Sequence, residues 1–150
     1  SPTLERTFAW LRANVGRIDQ TRVLVHGDYD LRNVLIGESG ITAVLDWERS
    51  HVGHPAEDLA YCMQDVMRVM SRDEFLQRYR RAGGPEVATE AIEYFQLWAA
   101  MARLTGSAEV KDTYLRGRHR DFVLGTAGVF QYPRFLRQVA ELLAALDPCN

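Results

Sequence analysis

Apolar residues recur every three or four positions along most of this chain, and this spacing predicts amphipathic helices. The first helix is expected to end near Gly16 and to carry four apolar residues on one face: Leu4, Phe8, Leu11 and Val15. Pro55 is predicted to open a second helix, and the capping box Ser71-Arg72-Asp73-Glu74 a third. Pro85 and Pro133 are each predicted to open a long helix with an apolar face.

Residues 23–45 show a different pattern, because apolar residues here follow one another in short runs. Val23-Leu24-Val25 predicts a strand that ends where polar residues begin at His26. Two further runs, 34–36 and 41–45, flank the four-residue connection Gly37-Glu38-Ser39-Gly40 and predict a β-hairpin. The expected fold class is therefore α+β, predominantly helical, with a small β-hairpin.

Three oxygen-bearing side chains are predicted to meet at the open end of this hairpin. Asn33 precedes its first strand, Asp46 follows its second strand, and Asp28 lies just upstream. Carboxylate and amide oxygens suit Mg²⁺, and one neutral amide among them limits the repulsion of a triphosphate. Asp28 fits the carboxylate that orients an attacking hydroxyl and accepts its proton. Together the three residues predict half of a phosphotransfer site.

The order and spacing of these residues resemble those of protein-kinase-like phosphotransferases. His26-x-Asp28-x-x-x-x-Asn33, with Asp46 thirteen positions later, is similar to the catalytic loop and metal-binding segment of that fold. Gly27 replaces the usual arginine and Asp46-Trp47-Glu48 replaces Asp-Phe-Gly, which resembles the aminoglycoside phosphotransferase and choline kinase branch. Gly53–Ala60 extends the likeness, because this branch typically continues with Gly-x-Pro-x-x-Asp-Leu-Ala.

The resemblance implies the C-terminal lobe of the protein-kinase-like fold and a role for each matching residue. Asp28 and His26 would be the catalytic residues, with Asp28 as the base and His26 ordering the loop through hydrogen bonds. Asn33 and Asp46 would hold Mg²⁺ and, through it, the phosphates of ATP or GTP. Asp58 would brace the catalytic loop from the start of a helix. The implied activity is transfer of the γ-phosphate to a hydroxyl of a small molecule.

Substrate contacts are less well defined by the sequence. Asp30 and Glu48 are candidates, and Asp30 stands where similar enzymes often carry a basic or imidazole side chain. Asp30 could contact a cationic acceptor or bind a loop arginine such as Arg32. The basic run Arg116–Arg120 could face an anionic acceptor or form a solvated helix face. The acceptor therefore stays open at this level.

Each site residue also has a simpler interpretation as a turn residue, a cap, a solvated strand end or a first-turn acid: Asp28, Asp30, Asn33, Asp46 and Asp58. Taken jointly, their order and spacing favour the phosphotransfer site. His51, His54 and Asp58 could also be drawn as a transition-metal site, although Pro55 interrupts any helix that would align them.

Two elements of a complete enzyme of this fold do not occur in these 150 residues. There is no glycine-rich strand-turn-strand motif, and the only lysine, Lys111, follows the catalytic loop instead of preceding it. We expect residues 1–150 to be a C-terminal lobe whose N-terminal nucleotide-binding lobe is absent, and to be inactive alone. The alternative is a non-catalytic binding or regulatory module. The surface left exposed predicts a homodimer through that patch.

Composition narrows the setting. A net charge of −2 argues against general nucleic-acid affinity, and no apolar run approaches the ~20 residues of a membrane span. Cys62 and Cys149 have neither disulfide nor metal-ligand spacing, and the chain has no secretory signal. We therefore expect a cytoplasmic protein. Its implied partners are a hydroxylated small molecule and the missing lobe.

Overall fold

A computed structural model of the protein describes residues 2–118 and 121–148. The described α-helices are α1 Pro2–Asn14, α2 Ala56–Val66, α3 Arg72–Arg81, α4 Thr89–Leu115 and α5 Phe122–Leu146. The described strands are β1 Val23–Val25, β2 Val34–Gly37, β3 Gly40–Val44 and β4 His51–Gly53. The chain forms two compact units, one of residues 16–95 and the other of the residues on either side. The predicted class, α+β and predominantly helical, is confirmed.

The predicted β-hairpin is formed by β2 and β3, which pair antiparallel. Gly37 lies opposite Gly40, so the connection consists of Glu38 and Ser39 alone. The prediction of a four-residue connection was wrong, because both glycines join the ladder. A register irregularity between Leu35 and Ile36 accompanies this pairing.

A second antiparallel pair joins β1 to β4, with Val25 opposite His51 and Val23 opposite Gly53. β4 was not predicted from the sequence, since a histidine and a glycine leave Val52 as its single large apolar residue. The pairing is important for the candidate site, because it brings the segment that follows Asp46 back beside the strand that leads into the predicted catalytic loop.

The core of the unit of residues 16–95 lies between α2 and the start of α4. It is built on four buried residues, Ala56, Met63, Ala91 and Ile92. α2 begins directly after Pro55, as predicted. Ser71 accepts a hydrogen bond from the Glu74 backbone N–H (3.2 Å) and so caps α3. α4 begins at Thr89, so the prediction that Pro85 opens this helix was wrong.

In the other unit α1 packs against α5. Leu11 is buried in α1, but Phe8 is 52% exposed, so the predicted apolar face is only partly the packed one. α5 begins after Asp121, whose carboxylate accepts from the Leu124 N–H (3.0 Å), and continues through Pro133. Pro133 therefore does not open this helix as predicted, because the cap at Asp121, twelve residues earlier in sequence, sets its start.

The basic run Arg116–Arg120 is described only as far as Arg118, and its last two residues lie outside the described residues, as does Cys149. None of the helices in the described ranges is long and apolar enough to cross a membrane.

Candidate functional site

The loop of residues 26–33, which the resemblance predicts to be the catalytic loop, is anchored by the first turn of α2. Asp58 Oδ2 accepts a hydrogen bond from the His26 backbone N–H at 2.7 Å, and Oδ1 accepts from the Gly27 N–H at 3.0 Å. Hydrogen bonds to an ionised carboxylate are stronger than those between neutral groups. The helix that begins after Pro55 therefore fixes the backbone at the start of the loop.

His26 links the catalytic loop to the strand that precedes Asp46. Its side chain is buried, and its Nδ1 accepts a hydrogen bond from the Asp28 backbone N–H (3.2 Å). Since Nδ1 accepts, the neutral ring carries its hydrogen on Nε2, which donates to the Leu45 carbonyl at 2.7 Å. The Trp47 ring packs against the same imidazole in a T-shaped arrangement, with ring centroids 4.7 Å apart.

Asp28 and Asn33 are brought together at the end of the loop. The Asn33 Nδ2 donates to the Asp28 carbonyl at 2.9 Å and lies 3.4 Å from Asp28 Oδ2. Because both of these partners are acceptors, the Asn33 amide is oriented with its nitrogen toward Asp28. Its Oδ1 is thus left for another partner, such as a cation.

Asp46 is attached to this pair through the hairpin. The Leu45 backbone N–H donates to the Asn33 carbonyl at 2.7 Å, so Asp46 is one residue beyond the last bond between the two segments. Asp46 has φ 64° and ψ 56°, the left-handed backbone conformation that residues other than glycine rarely adopt. Its carboxylate does not cap the short 3₁₀ helix Trp47–Arg49 that follows, and the residue is exposed. Strain of this kind is concentrated at functional sites.

Asp30 is bound to Arg32. Asp30 Oδ1 accepts from the Arg32 backbone N–H and from Nε, both at 3.0 Å, and Oδ2 accepts from Nη2 at 3.1 Å. This pairing raises the pKa of the Arg32 guanidinium. Two partners were considered for Asp30, a cationic acceptor and a loop arginine. In the described structure Asp30 pairs with the loop arginine, Arg32. Glu48 lies exposed in the 3₁₀ helix after Asp46.

His51 and His54 bind different carboxylates. His51 Nε2 lies 3.0 Å from Glu57 Oε2, whereas His54 Nε2 lies 3.3 Å from Asp19 Oδ2. Hydrogen bonds from Thr21, and then the contact with His54, lower the pKa of Asp19 to about 2. Within residues 2–118 and 121–148, no three His, Cys, Asp or Glu side chains are grouped in a way that could hold a metal ion. The histidine arrangement considered from the sequence is therefore not formed there.

Sequence reasoning missed the reason for Gly27. This glycine has φ 80°, and a Cβ at this position would lie 2.6 Å from the carbonyl oxygen of Arg49. The segment after Asp46 thus approaches the catalytic loop so closely that only glycine fits. The replacement of the usual arginine by Gly27 was the available signal. Glu57 and His51 gave no comparable signal, because their contacts depend on the pairing of β1 with β4.

A cavity of about 570 Å³ adjoins the anchored end of the loop. Its mostly apolar lining includes Tyr29, Trp47 and Tyr79, together with His26 and Asp58. Burial raises the pKa of the Tyr29 and Tyr79 hydroxyls above their ordinary value. The loop anchor is therefore next to a largely apolar space.

Comparison with known protein families decides the class. Residues 2–104 match the family described as the phosphotransferase enzyme family, APH. This chain belongs to that family. The membership confirms the family expected from the motifs.

Solved structures show the same fold. A candidate aminoglycoside phosphotransferase from Ralstonia eutropha superposes with a TM-score of 0.74 at 18% identity, covering 94% of this chain and 48% of that chain. A ternary complex of a thermostable mutant of aminoglycoside phosphotransferase APH(4)-Ia with AMP-PNP and hygromycin B superposes with a TM-score of 0.54 at 20% identity. The match covers 93% of this chain and 44% of that chain. A partial protein-kinase-like fold is thus confirmed.

Curated relatives are larger proteins. A stretch of 65 residues is 40% identical to acyl-CoA dehydrogenase family member 11 of Gallus gallus, covering 42% of this chain and 8% of that protein. The corresponding protein of Rattus norvegicus is 42% identical over 62 residues and is also covered to 8%. The chain thus spans less than half the length of the two solved structures and under a tenth of these relatives.

Proposed function

We propose that the protein containing this chain transfers the γ-phosphate of ATP or GTP to a hydroxyl group of a small molecule. The observation that carries the proposal is the contact of the Asn33 amide with Asp28, at the end of a loop held by Asp58. This contact sets a carboxylate beside an amide whose oxygen is available. Family membership supports transfer of a phosphoryl group. The nucleotide donor, the acceptor hydroxyl and the residue roles are part of our proposal.

Asn33 Oδ1 and the Asp46 carboxylate would hold Mg²⁺. The residues fit such an ion, because the Asn33 nitrogen is directed at Asp28 and the exposed Asp46 carboxylate does not cap the next helix. Bound Mg²⁺ would neutralise charge on the nucleotide phosphates. Two protein ligands suit an ion that shares its remaining positions with phosphates and water.

Asp28 would orient the acceptor hydroxyl and take its proton. His26 would keep Asp28 in place, since its imidazole accepts from the Asp28 N–H and donates to the Leu45 carbonyl. In the related complex named above, the bound molecules are AMP-PNP and hygromycin B, a hydroxylated small molecule. They support a nucleotide donor and a hydroxylated acceptor here without naming the acceptor.

We also propose that the remainder of the catalytic machinery lies in an N-terminal lobe outside these residues, and that the 150-residue chain alone does not turn over. Large apolar side chains on the two small sheets are mostly exposed: Leu24, Ile36, Ile41 and Val52. Such a surface is expected to be covered by that lobe or, in its absence, by a second copy. A cytoplasmic location remains part of this proposal.

The test is phosphate transfer by the intact protein, with labelled ATP or GTP and a panel of hydroxylated metabolites. Asp28→Asn should lower kcat by about 10²–10⁴-fold, because it removes the proton acceptor. Asp65→Asn is the matched control, since Asp65 lies near the other end of α2. Its carboxylate pairs with Arg68 at a distance of 3.6 Å. Turnover by Asp28→Asn at the control rate would overturn the assigned base. Absence of both transfer and Mg-nucleotide binding would leave the non-catalytic module instead.

A further inference from the structure

Two consecutive acidic residues at the start of α2 bind two different segments of the chain. Asp58 accepts from the backbone of the catalytic loop, as described above. Glu57 is buried, and its Oε1 accepts from the His54 backbone N–H at 2.9 Å. Its other oxygen, Oε2, lies 3.0 Å from His51 Nε2. Glu57 therefore connects the helix to β4, in the segment that follows Asp46.

The His51 ring lies between two acceptors. Its Nδ1 lies 3.0 Å from the Arg49 carbonyl oxygen, and its Nε2 contacts Glu57. A carbonyl oxygen and an ionised carboxylate can only accept, so both contacts are hydrogen bonds only when both ring nitrogens carry hydrogen. The geometry thus favours the imidazolium form of His51.

These contacts close into a ring. Asp58 binds the Gly27 N–H, the Arg49 carbonyl lies against Gly27, His51 contacts that carbonyl, and Glu57 contacts His51. Glu57 and Asp58 are adjacent in α2. The ring joins the catalytic loop, the segment after Asp46 and the helix start.

A second glycine, Gly53, lies directly against the contact between Glu57 and His51. A Cβ on Gly53 would clash with Glu57 Oε1 and would lie 2.9 Å from His51 Nε2 and from Val25 Cγ2. Gly27 and Gly53 are thus both required for close approach, Gly27 at the Arg49 carbonyl and Gly53 at the contact between Glu57 and His51.

We propose that Glu57 and His51 are positioning residues, which hold the metal-ligand segment that begins at Asp46 in register with the catalytic loop. The catalytic consequence rests on the proposed function above. The structural consequence does not, because it concerns only where residues 46–51 lie relative to Gly27.

The charge environment gives this tether a pH dependence. The Arg49 carbonyl and then the Glu57 carboxylate raise the pKa of His51 above its ordinary value of 6.5, with a smaller effect of Asp58. From β1, apolar Val25 lies against Gly53. Since the folded-state pKa is raised, the tether is fully present below the ordinary value and is lost as pH rises through the raised one.

The first experiment titrates His51 in the 150-residue chain by NMR. We expect a pKa above the ordinary value, and Glu57→Gln should lower it. Glu74→Gln is the matched control, because Glu74 is also a first-turn glutamate with a basic partner, Arg78 at 2.6 Å. His51 should titrate in this control as in the parent chain. An ordinary His51 pKa in the parent chain, unmoved by Glu57→Gln, would overturn the tether.

The second experiment measures Mn²⁺ binding to the same chain by paramagnetic broadening. Mutation of groups that orient metal ligands typically lowers metal affinity by about 10-fold or more. His51→Ala and Glu57→Gln should therefore each weaken Mn²⁺ binding by about 10-fold. His51→Lys keeps a cation beside Glu57 and should restore part of this loss. The His51 side chain is 47% exposed, so the substitutions of His51 are compatible with folding. Binding equal to that of Glu74→Gln would contradict the proposal.

Asp46→Asn separates the two proposals. If it abolishes Mn²⁺ binding while His51→Ala does not weaken it, the metal site stands and the tether is wrong. If Asp46→Asn leaves Mn²⁺ binding unchanged, the proposed metal site is wrong. The His51 titration alone then tests whether Glu57 and His51 form the tether. In the intact protein, His51→Ala should lower kcat on the acidic side of the pH profile and flatten its alkaline limb.

Discussion

The catalytic loop and the α4–α5 contact both bring two backbones close together, but by different means. At the loop, Asp58 accepts two backbone N–H groups, and Gly27 admits the Arg49 carbonyl. Between the helices, Gly125 lies against the Tyr114 ring, and a Cβ on Gly128 would lie 2.9 Å from a backbone nitrogen of α4. The first contact depends on charge and hydrogen bonding as well as on volume, whereas the second depends on volume alone. Changes of charge should therefore disturb only the first contact, whereas changes of size should disturb both.

The largest effect is expected from removing the loop anchor. Asp58→Ala leaves the His26 and Gly27 N–H groups without their charged acceptor, and hydrogen bonds to charged groups contribute about 1.5–3 kcal/mol each. We expect the free energy of unfolding to fall by about 3–6 kcal/mol, measured by urea denaturation. Asp58→Asn keeps the shape and one acceptor and should lose about half as much. Equal stability of Asp58→Ala and the parent chain would refute the anchor.

The next largest effect tests the close approach at the loop. Gly27→Ala combines an unfavourable positive φ with a Cβ 2.6 Å from the Arg49 carbonyl, and should cost about 2–4 kcal/mol. Gly83→Ala is the matched control, since Gly83 has φ 93° but open space around its Cβ position. It should cost only about 1–2 kcal/mol. Identical losses in urea denaturation would mean that the Arg49 contact has no energetic weight.

The helix contact is tested by size alone. A Cβ on Gly125 would clash with the Tyr114 ring, so Gly125→Ala should destabilise the chain by about 1–3 kcal/mol. Gly106 is the control, because it lies in α4 with nothing within 4 Å of its Cβ position. Gly106→Ala should raise stability by about 0.5–1 kcal/mol, through better helix propensity. Thermal unfolding of both variants checks the opposite signs, and two changes of the same sign would contradict the packing argument.

The site region was more predictable than the helices because its residues are constrained locally. His26, Asp28 and Asn33 lie within one loop, so their spacing alone fixes that they can meet. The hairpin also carries its own signal in the glycines near its turn. Tertiary pairing was the part that could not be predicted, since β4 and the Glu57–His51 contact exist only once β1 has a partner.

The starts of two helices were predicted wrongly for a related reason. Pro85 and Pro133 are good first-turn residues, yet α4 begins at Thr89 and α5 follows the cap at Asp121. A proline removes one backbone donor, and a helix of 25 residues can lose one hydrogen bond and continue. Similarly, Phe8 shares the helical spacing of Leu11 but not its burial, because packing against α5 selects the face. Local patterns therefore predict that a helix exists better than where it begins or which side is covered.

The smallest effect separates charge that anchors the loop from charge that is merely exposed. Arg32 is 75% exposed although it binds Asp30 through two side-chain nitrogens, so Arg32→Ala should cost at most about 0.5–1 kcal/mol in urea denaturation. Asp30→Ala also removes the acceptor for the Arg32 backbone N–H and should cost about 1 kcal/mol. In 1 M salt the Arg32→Ala effect should shrink, whereas the loss in Asp58→Ala should persist, because partly buried hydrogen bonds are screened less. If Arg32→Ala were as damaging as Asp58→Ala, the Asp30–Arg32 pair would be a second anchor of the loop, and the contrast between anchoring and exposed charge would fail.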